Sequence, residues 1–503
     1  MSRGWCRALW ALPLAELVVL CGLLFAVWRG PSALDLPSPL VPDVATPSAP
    51  AVTPPSRVLL VVIDGLSTAT VPRLAMLEQL ARIGARAELD AEPPTFSAPE
   101  YVAMLTGVPP RDSGIRSNAT LRAAALDDVA ASVRRAGGET VVVSDVVDWW
   151  PRLFPESFSH ADRVALGSAP RTAAGELPRA RFAVVHLGRV DKAGHAAGAL
   201  SQEYQEAARR ADEELAELLA HWDRDQGAVV VVTDHGHRAS GGHGGDEPDV
   251  RGSWLVAAGR GVKPAAELSG RLRDVAPTLA ALAGVPAPRD ALGRTLVELL
   301  DVKPDVRKKL AADDDLRIAR VSGRRDRVLS LFESEARALT YLRGVVLLAW
   351  LLLAALVFRR GGAATRRGVG LGVALGVVSV LGFLLFFGAP SFSAARRMAI
   401  WVLGAALMGT VGMCALLVPV LGELREKTLT PCGATRALGA GWLGSLWPAA
   451  LAFVFAGVVG PRLFAEPGWL AAGPMVAYAI AAGSTAAAMV GALACAWAHS
   501  RGR

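Results

Sequence analysis

The run Val229-Val230-Val231-Val232-Thr233 constrains this chain more than any other stretch. Five consecutive β-branched residues disfavour a helix and read as a short strand buried on both faces. That strand ends in Asp234-His235-Gly236-His237, and Gly241-Gly242-His243-Gly244-Gly245 follows three residues later. A carboxylate and an imidazole therefore leave a buried strand together. The glycines permit tight backbone turns, so the loop can fold His243 back towards them. Zinc and manganese both accept carboxylate plus imidazole. A capped turn after a core strand is the plain structural alternative.

Between residues 57 and 300 the same rhythm recurs. Val58–Ile63, Thr140–Ser144 and Phe182–Leu187 read as further apolar strands, and Val71–Ile83 and Ser201–Trp222 have helical spacing. Near-continuous apolar strands alternating with helices predict an α/β fold, a doubly wound, mostly parallel sheet. In open sheets of this kind ligands bind beyond the carboxyl ends of the strands. Asp64, Asp191 and the Asp234-His235 pair all fall at that rim.

The third of these strands runs into Leu187-Gly188-Arg189-Val190-Asp191-Lys192-Ala193-Gly194-His195. The Asp-x-x-Gly-His spacing lets Asp191 and His195 converge on one ion, against the alternative of a helix cap and a surface histidine. A candidate nucleophile lies in Pro93-Pro94-Thr95-Phe96-Ser97-Ala98-Pro99-Glu100-Tyr101. Ser97 reads as a helix N-cap with Pro99 in the first turn, at the positive end of a helix dipole that favours phosphate. Thr95 is the competing hydroxyl and is expected to support the loop. His160, His186 and His221 show no partner pattern and are expected to be packing or surface residues.

These segments together resemble the alkaline phosphatase superfamily, in its nucleotide pyrophosphatase/phosphodiesterase and GPI ethanolamine phosphate transferase branches. The resemblance covers roughly 57–300 and rests on P-T-x-[ST]-x-P from Pro94 to Pro99, LGxxDxxGHxxG from Leu187 to Gly198 and DHGxxxxGxHGG from Asp234 to Gly245. It implies an alkaline phosphatase-like catalytic domain that uses two divalent ions, zinc with manganese as the alternative. By that resemblance Asp64, Ser97, Asp234 and His235 surround one metal, and Asp191, His195 and His243 hold the other. Asn118 falls where the phosphodiesterase branch has an asparagine that steadies the transferred phosphate. Ser97 replaces a threonine, and His237 stands where methionine is common in the transferases, as a supporting or solvent-facing residue. Glu100 and Tyr101 replace residues that help to recognise substrate. A sulfatase signature wants arginine at the position of Tyr101, which argues against sulfate esters.

The expected activity is phosphotransfer or phosphodiester cleavage through a phospho-serine intermediate, on an extracytoplasmic lipid- or glycan-linked phosphoester. The alternative is an anchored hydrolase of soluble nucleotide-type diesters or phosphomonoesters. The net charge of +7 is scattered arginine without interleaved aromatics, so no nucleic-acid polymer is expected as a partner. All five cysteines lie outside 57–300, which leaves that region without disulfides or thiolate ligands. Oligomeric state is not legible.

A mean hydropathy of +0.36 arises from the flanks. Six apolar stretches read as membrane spans: Ala8–Trp28, Gly344–Phe358, Gly368–Gly388, Met398–Leu421, Leu438–Gly460 and Trp469–Trp497. Arg3, Arg7, Arg359, Arg360, Arg366, Arg367, Arg425, Lys427, Arg436, Arg501 and Arg503 then fall on one side. The expectation is an integral membrane protein contacting lipid, with both termini cytoplasmic and the catalytic domain outside. Residues 1–30 are expected to form an uncleaved anchor, with a cleaved signal peptide as the alternative, and 31–56 a proline-rich spacer. Residues 301–343 form a charged, solvated or membrane-surface helical stalk, and 344–503 an all-α transmembrane bundle of five spans. Glu16 and Glu423 are expected at interface level.

Overall fold

The computed structural model describes residues 56–387, 398–425, 431–446 and 468–501, except 119–121, 146, 265 and 361–362. Leu14, residues 16–21, residues 38–40, Thr53 and Ala449 are described as well. By packing, the chain divides into two units, one of residues 34–330 with 392–395 and one of 1–33, 331–391 and 396–503.

The first unit is built on one eight-stranded sheet. Its strands are β1 (Arg57–Ile63), β2 (Ala85–Asp90), β3 (Thr140–Asp145), β4 (His160–Val164), β5 (Phe182–Leu187), β6 (Gly227–Val232), β7 (Gly252–Gly259) and β8 (Glu267–Arg271). They lie in the order β4-β3-β5-β1-β6-β7-β2-β8. All neighbours are parallel except at β7, which runs antiparallel to both β6 and β2. The mostly parallel α/β expectation therefore holds for this unit.

Alternation along β1 shows how the sheet is sealed. Val58, Leu60 and Val62 face a core that includes Tyr101, Val102, Trp150 and Leu279. Leu59, Val61 and Ile63 face the opposite core with Leu77, Leu80, Tyr204 and Leu215. Helices thus cover both faces, and every residue from Val58 to Ile63 is fully buried. Truncating one such side chain, Leu60 for instance, would cost about 2–5 kcal/mol.

Four strands escaped the sequence reading: β7, buried over six of its eight residues, and the three short strands β2, β8 and β4. β2 alternates buried and exposed positions over only six residues, and β8 does so over five. β4 is a half-exposed edge. Such short strands carry no apolar run, and their pairing supplies what propensity does not.

The charged segment beyond residue 300 departs from expectation too. It is one helix, Pro304–Arg360; residues 304–330 are mostly exposed or half-buried, but Asp314, Arg317 and Val321 are buried. Val321 is buried with Leu40, Val108 and Leu292. Arg317 is paired with Asp314 at 2.7 Å and donates to the carbonyls of Ala291 (3.1 Å) and Gly293 (2.6 Å). Asp314 in turn accepts the Thr295 N–H at 2.6 Å. The charge of Arg317 and Asp314 is satisfied by each other and by backbone of the same unit. Of the proline-rich segment, Ser38 donates to the Asp112 carbonyl at 2.6 Å, which fastens residues 38–40 to that unit.

The second unit is helical where described. Ala363–Phe387, Met398–Arg425, Pro431–Ser445 and Gly468–Arg501 are its main helices. Met413, Leu417, Leu438, Ala488 and Cys495 form its core, and Trp442 Nε1 donates to Thr485 Oγ1 at 3.1 Å. Among the described residues one helix, Ala477–Cys495, is long and apolar enough to cross a membrane. Val369–Leu381 and Val402–Val411 are apolar but shorter. The six-span count therefore exceeds what helix length and hydropathy carry, and Gly344–Phe358 is short on its face. Most of Ala8–Trp28 and the second half of Leu438–Gly460 lie outside the described residues. Glu16, expected at interface level, is enclosed by protein.

Candidate metal centre

The carboxyl ends of β1, β5 and β6 deliver the site. Asp64 follows β1 directly, and Asp234 and His235 follow β6 after Thr233. The turn is held by Thr233, whose hydroxyl accepts the Leu66 N–H and donates to the His235 carbonyl, each at 3.0 Å. Beyond β5 the helix Arg189–Ala197 places Asp191 and His195 four residues apart, on one face.

Two donor clusters result. Asp64, Asp234 and His235 form one, all buried. His235 Nε2 lies 3.2 Å from Asp234 Oδ2 and 3.7 Å from Asp64 Oδ1. Neither of those oxygens has a hydrogen-bond partner. Their sister atoms are taken: Asp234 Oδ1 accepts the Gly65 and His235 N–H groups, each at 2.9 Å, and Asp64 Oδ2 accepts the Tyr101 hydroxyl. The His235 ring donates Nδ1–H to the Gly236 carbonyl at 3.1 Å, which leaves a lone pair on Nε2. His235 Nε2 and two carboxylate oxygens without hydrogen-bond partners thus converge. Burial, then the charge of Asp64, pushes the pKa of Asp234 well above the carboxylate range. Burial, reinforced by His243, holds His235 well below the imidazole range. A divalent cation is the partner this geometry fits, because it alone satisfies two carboxylates and a neutral imidazole at once.

The other cluster is Asp191, His195, His237 and His243. Asp191 Oδ1 lies 2.9 Å from His237 Nε2 and 3.3 Å from Nε2 of both His195 and His243. Burial alone would raise the Asp191 pKa, but hydrogen bonds from His237 and His243 outweigh it and hold the carboxyl well below its ordinary value. His243 Nδ1 donates to the Thr95 carbonyl at 2.9 Å. Thr95 completes the clasp: its hydroxyl donates to the Gly245 carbonyl (2.8 Å) and accepts the Gly244 N–H (3.1 Å). The loop carrying His243 is fastened to the segment before Ser97. The two clusters adjoin, since the His235 and His243 rings stack at 3.7 Å.

Every residue expected to bind metal is therefore in one of these clusters or beside them. Ser97 is not an N-cap, however. The helix Ser97–Thr106 has Phe96 in that role, and Ser97 is its first helical residue. Its hydroxyl points away from the helix amides and lies 3.2 Å from His235 Nε2. The amide it leaves open is capped by Asn118, whose Oδ1 accepts the Ala98 N–H at 2.9 Å. Asn118 thus stands next to the start of the helix that carries Ser97.

Two histidines have partners that the sequence reading did not anticipate. His237 is buried in the second cluster and does not face solvent. Its ring occupies space left by two glycines: a Cβ on Gly194 would lie 2.5 Å from His237 Cδ2, and one on Gly65 would lie 2.9 Å from His237 Nε2. His186 is buried with Nε2 3.0 Å from Asp64 Oδ2. A histidine inside an apolar strand, one pleat from the rim, was the available signal. Tyr101 and Glu100, which stand where related sequences have other residues, are both fully buried. Glu100 makes no hydrogen bond through either oxygen, and burial, then Glu92 and Asp234, pushes its pKa well above the usual range. His160 and His221 lie at the surface as expected.

Residues 58–151 and 127–243 match the sequence model of the type I phosphodiesterase/nucleotide pyrophosphatase family. The catalytic subunit of GPI ethanolamine phosphate transferase 3 from Homo sapiens is 28% identical over 289 residues, 48% of this chain and 26% of that protein. GPI ethanolamine phosphate transferase 2 from Aspergillus fumigatus is 26% identical over 286 residues, 48% of this chain and 37% of that protein. The chain thus covers about a quarter to a third of the length of these relatives. Among solved structures, human ectonucleotide pyrophosphatase/phosphodiesterase 5 aligns with a TM-score of 0.41 and 12% identity, over 49% of this chain and 100% of that one. The resemblance read from the three motif blocks holds in these matches.

Proposed function

We propose that this chain, whose first unit resembles the alkaline phosphatase superfamily, is a metal-dependent phosphoester-acting enzyme with Ser97 as its nucleophile. The observation that carries the reading is the position of Ser97 Oγ, 3.2 Å from Nε2 of His235, a member of the buried Asp64-Asp234-His235 cluster. Asp64, Asp234 and His235 would hold one divalent ion beside Ser97. Asp191, His195 and His243, with His237 against Asp191, would hold the other. Zinc suits the imidazole-rich second set, and manganese is the alternative. When bound, such ions favour the alkoxide form of a hydroxyl and neutralise charge on phosphoryl oxygens.

In this reading Ser97 Oγ attacks phosphorus in line, the bond to the departing alcohol breaks, and that alcohol leaves with a proton. A phospho-serine ester remains. An acceptor, either water or a substrate hydroxyl, then attacks the same phosphorus and returns Ser97 Oγ to its starting state. The fixed helix start holds Ser97 in place between the two steps, and Asn118 stands where its carboxamide NH2 can donate to a phosphoryl oxygen.

The similarity to GPI ethanolamine phosphate transferases favours ethanolamine phosphate transfer to a glycan-linked lipid over simple hydrolysis. The helical second unit supports the same choice. We infer an integral membrane protein of up to six spans with the first unit on the extracytoplasmic side. Comparing lipid and glycolipid extracts of cells with and without the gene tests this. Loss of one phospho-substituted species supports transfer, whereas unchanged extracts with retained cleavage of a soluble diester point to an anchored hydrolase.

A further inference from the structure

Asp64 is held by a chain of polar side chains that the proposed reaction does not use. The Tyr101 hydroxyl donates to Asp64 Oδ2. His186 Nε2 lies 2.8 Å from the Tyr101 oxygen and 3.0 Å from the same carboxylate oxygen. On its far side, His186 Nδ1 lies 3.1 Å from Ser144 Oγ. One proton arrangement satisfies all four groups. Tyr101 gives its proton to Asp64, His186 shares Nε2–H between Tyr101 and Asp64, and Ser144 donates to the Nδ1 lone pair. All four side chains are buried.

The rings have no freedom to leave this arrangement. Tyr101 stacks on Trp150 at 4.4 Å with an 11° interplanar angle, and it meets His186 edge-on at 5.5 Å. The result is an asymmetric carboxylate. Asp64 Oδ2 receives two donors, whereas Oδ1 receives none and faces His235.

We propose that Tyr101, His186 and Ser144 are positioning residues that commit Asp64 Oδ2 to the protein and reserve Oδ1 for a divalent cation. The proposal rests on the reading that Asp64, Asp234 and His235 hold such an ion, and it extends that reading to residues outside the ligand set. Donors on one carboxylate oxygen fix its plane and remove the competing bidentate and rotated poses. Outer partners of this kind ordinarily alter metal affinity by about 10–100-fold. The chain also explains why Tyr101 can stand at a substrate-side position of related sequences. Here it serves the ligand beneath the substrate.

The test is zinc titration by calorimetry of the full-length, metal-stripped protein, with Asp64→Ala identifying the binding step that belongs to this cluster. Tyr101→Phe keeps the stack on Trp150 and removes only the donor. It should weaken the Asp64-dependent step by about 10–100-fold and leave the other step unchanged. His186→Phe should do the same, and Ser144→Ala, which touches only His186, should have a smaller effect in the same direction. Cobalt(II) in place of zinc gives a second readout, because its visible spectrum follows coordination geometry and should change in Tyr101→Phe. Unaltered zinc affinity in both Tyr101→Phe and His186→Phe would overturn the proposal. Equal weakening of both steps would overturn it too, since that marks general loosening. An unmodified protein that binds no zinc or cobalt overturns the metal reading itself, and is told apart by that control.

Discussion

Ser97 Oγ lies 3.2 Å from His235 Nε2 in a pocket where both side chains are closed to solvent. A serine hydroxyl is a poor nucleophile at neutral pH, and a neutral, buried imidazole is a weak base towards it. The pair therefore makes chemical sense as neighbours of a cation rather than as a base and its nucleophile.

Replacing Ser97 with Ala should leave the fold and bound divalent ions intact and remove the covalent intermediate. Activity should fall by roughly three or more orders of magnitude, as when other nucleophiles are deleted. Thr95→Ala should lose about 10–100-fold, because Thr95 fastens the loop that orients His243 and does not attack. Trapping labelled phospho-enzyme and mapping the label decides between the two hydroxyls, and a label on Thr95 would reverse the assignment.

His243→Ala should cost the protein one of two bound ions. His243 joins the second cluster through Asp191 and holds its ring through the Thr95 carbonyl. Elemental analysis of the purified variant reads the stoichiometry directly. Two ions per chain in that variant would remove His243 from the ligand set.

Arg317→Met should destabilise the first unit by about 3–5 kcal/mol, the range for stranding one partner of a buried ion pair. Arg317 leaves Asp314 without its partner and two carbonyls without donors. Denaturant unfolding of the variant measures the loss. A midpoint equal to that of the unmodified protein would mean the helix docks without this residue.

Stability should depend on Asp128 between about pH 4 and pH 6. Burial, against hydrogen bonds from Ala131 and Ser157, pushes its carboxyl from 3.8 up to about 6. The folded state therefore favours the protonated acid. Its contribution is fully present below the unfolded value near 4 and is lost as pH rises through 6. Asp128→Asn mimics the protonated form and should flatten that slope, raising neutral-pH stability by at most about 3 kcal/mol. Thermal unfolding of both proteins across this window checks the sign.

A reporter active only outside the cytoplasm should work when fused after Leu300 and fail when fused after Arg367. The motive is the arginine cluster at 359–367. The opposite pattern would place the first unit in the cytosol.

How much of this was legible in the chain follows from how each feature is encoded. Val229–Val232 and Val58–Ile63 announce buried parallel strands because burial on both faces demands unbroken apolar runs. Asp64, Asp191, Asp234, His195, His235 and His243 were legible because glycine spacing and chemistry coincide within short motifs. β2 and β8 were not, since partners supplied by β7 and by each other decide their state. His186 and Tyr101 were missed for the same reason at side-chain scale. Eighty-five residues separate them in sequence, and only the fold makes them bond. The cluster role of His237 was hidden because it depends on the space left by glycines on two other segments.

Gly194 ties two distant positions into a single heritable choice. Alanine at 194 would drive its methyl into the His237 ring, so such a change should be tolerated only alongside a smaller residue at 237. A chain that keeps histidine here must keep Gly194 bare, whereas Gly65 is held to glycine in any case by its positive φ and by the Asp191 backbone 2.9 Å from where a Cβ would stand.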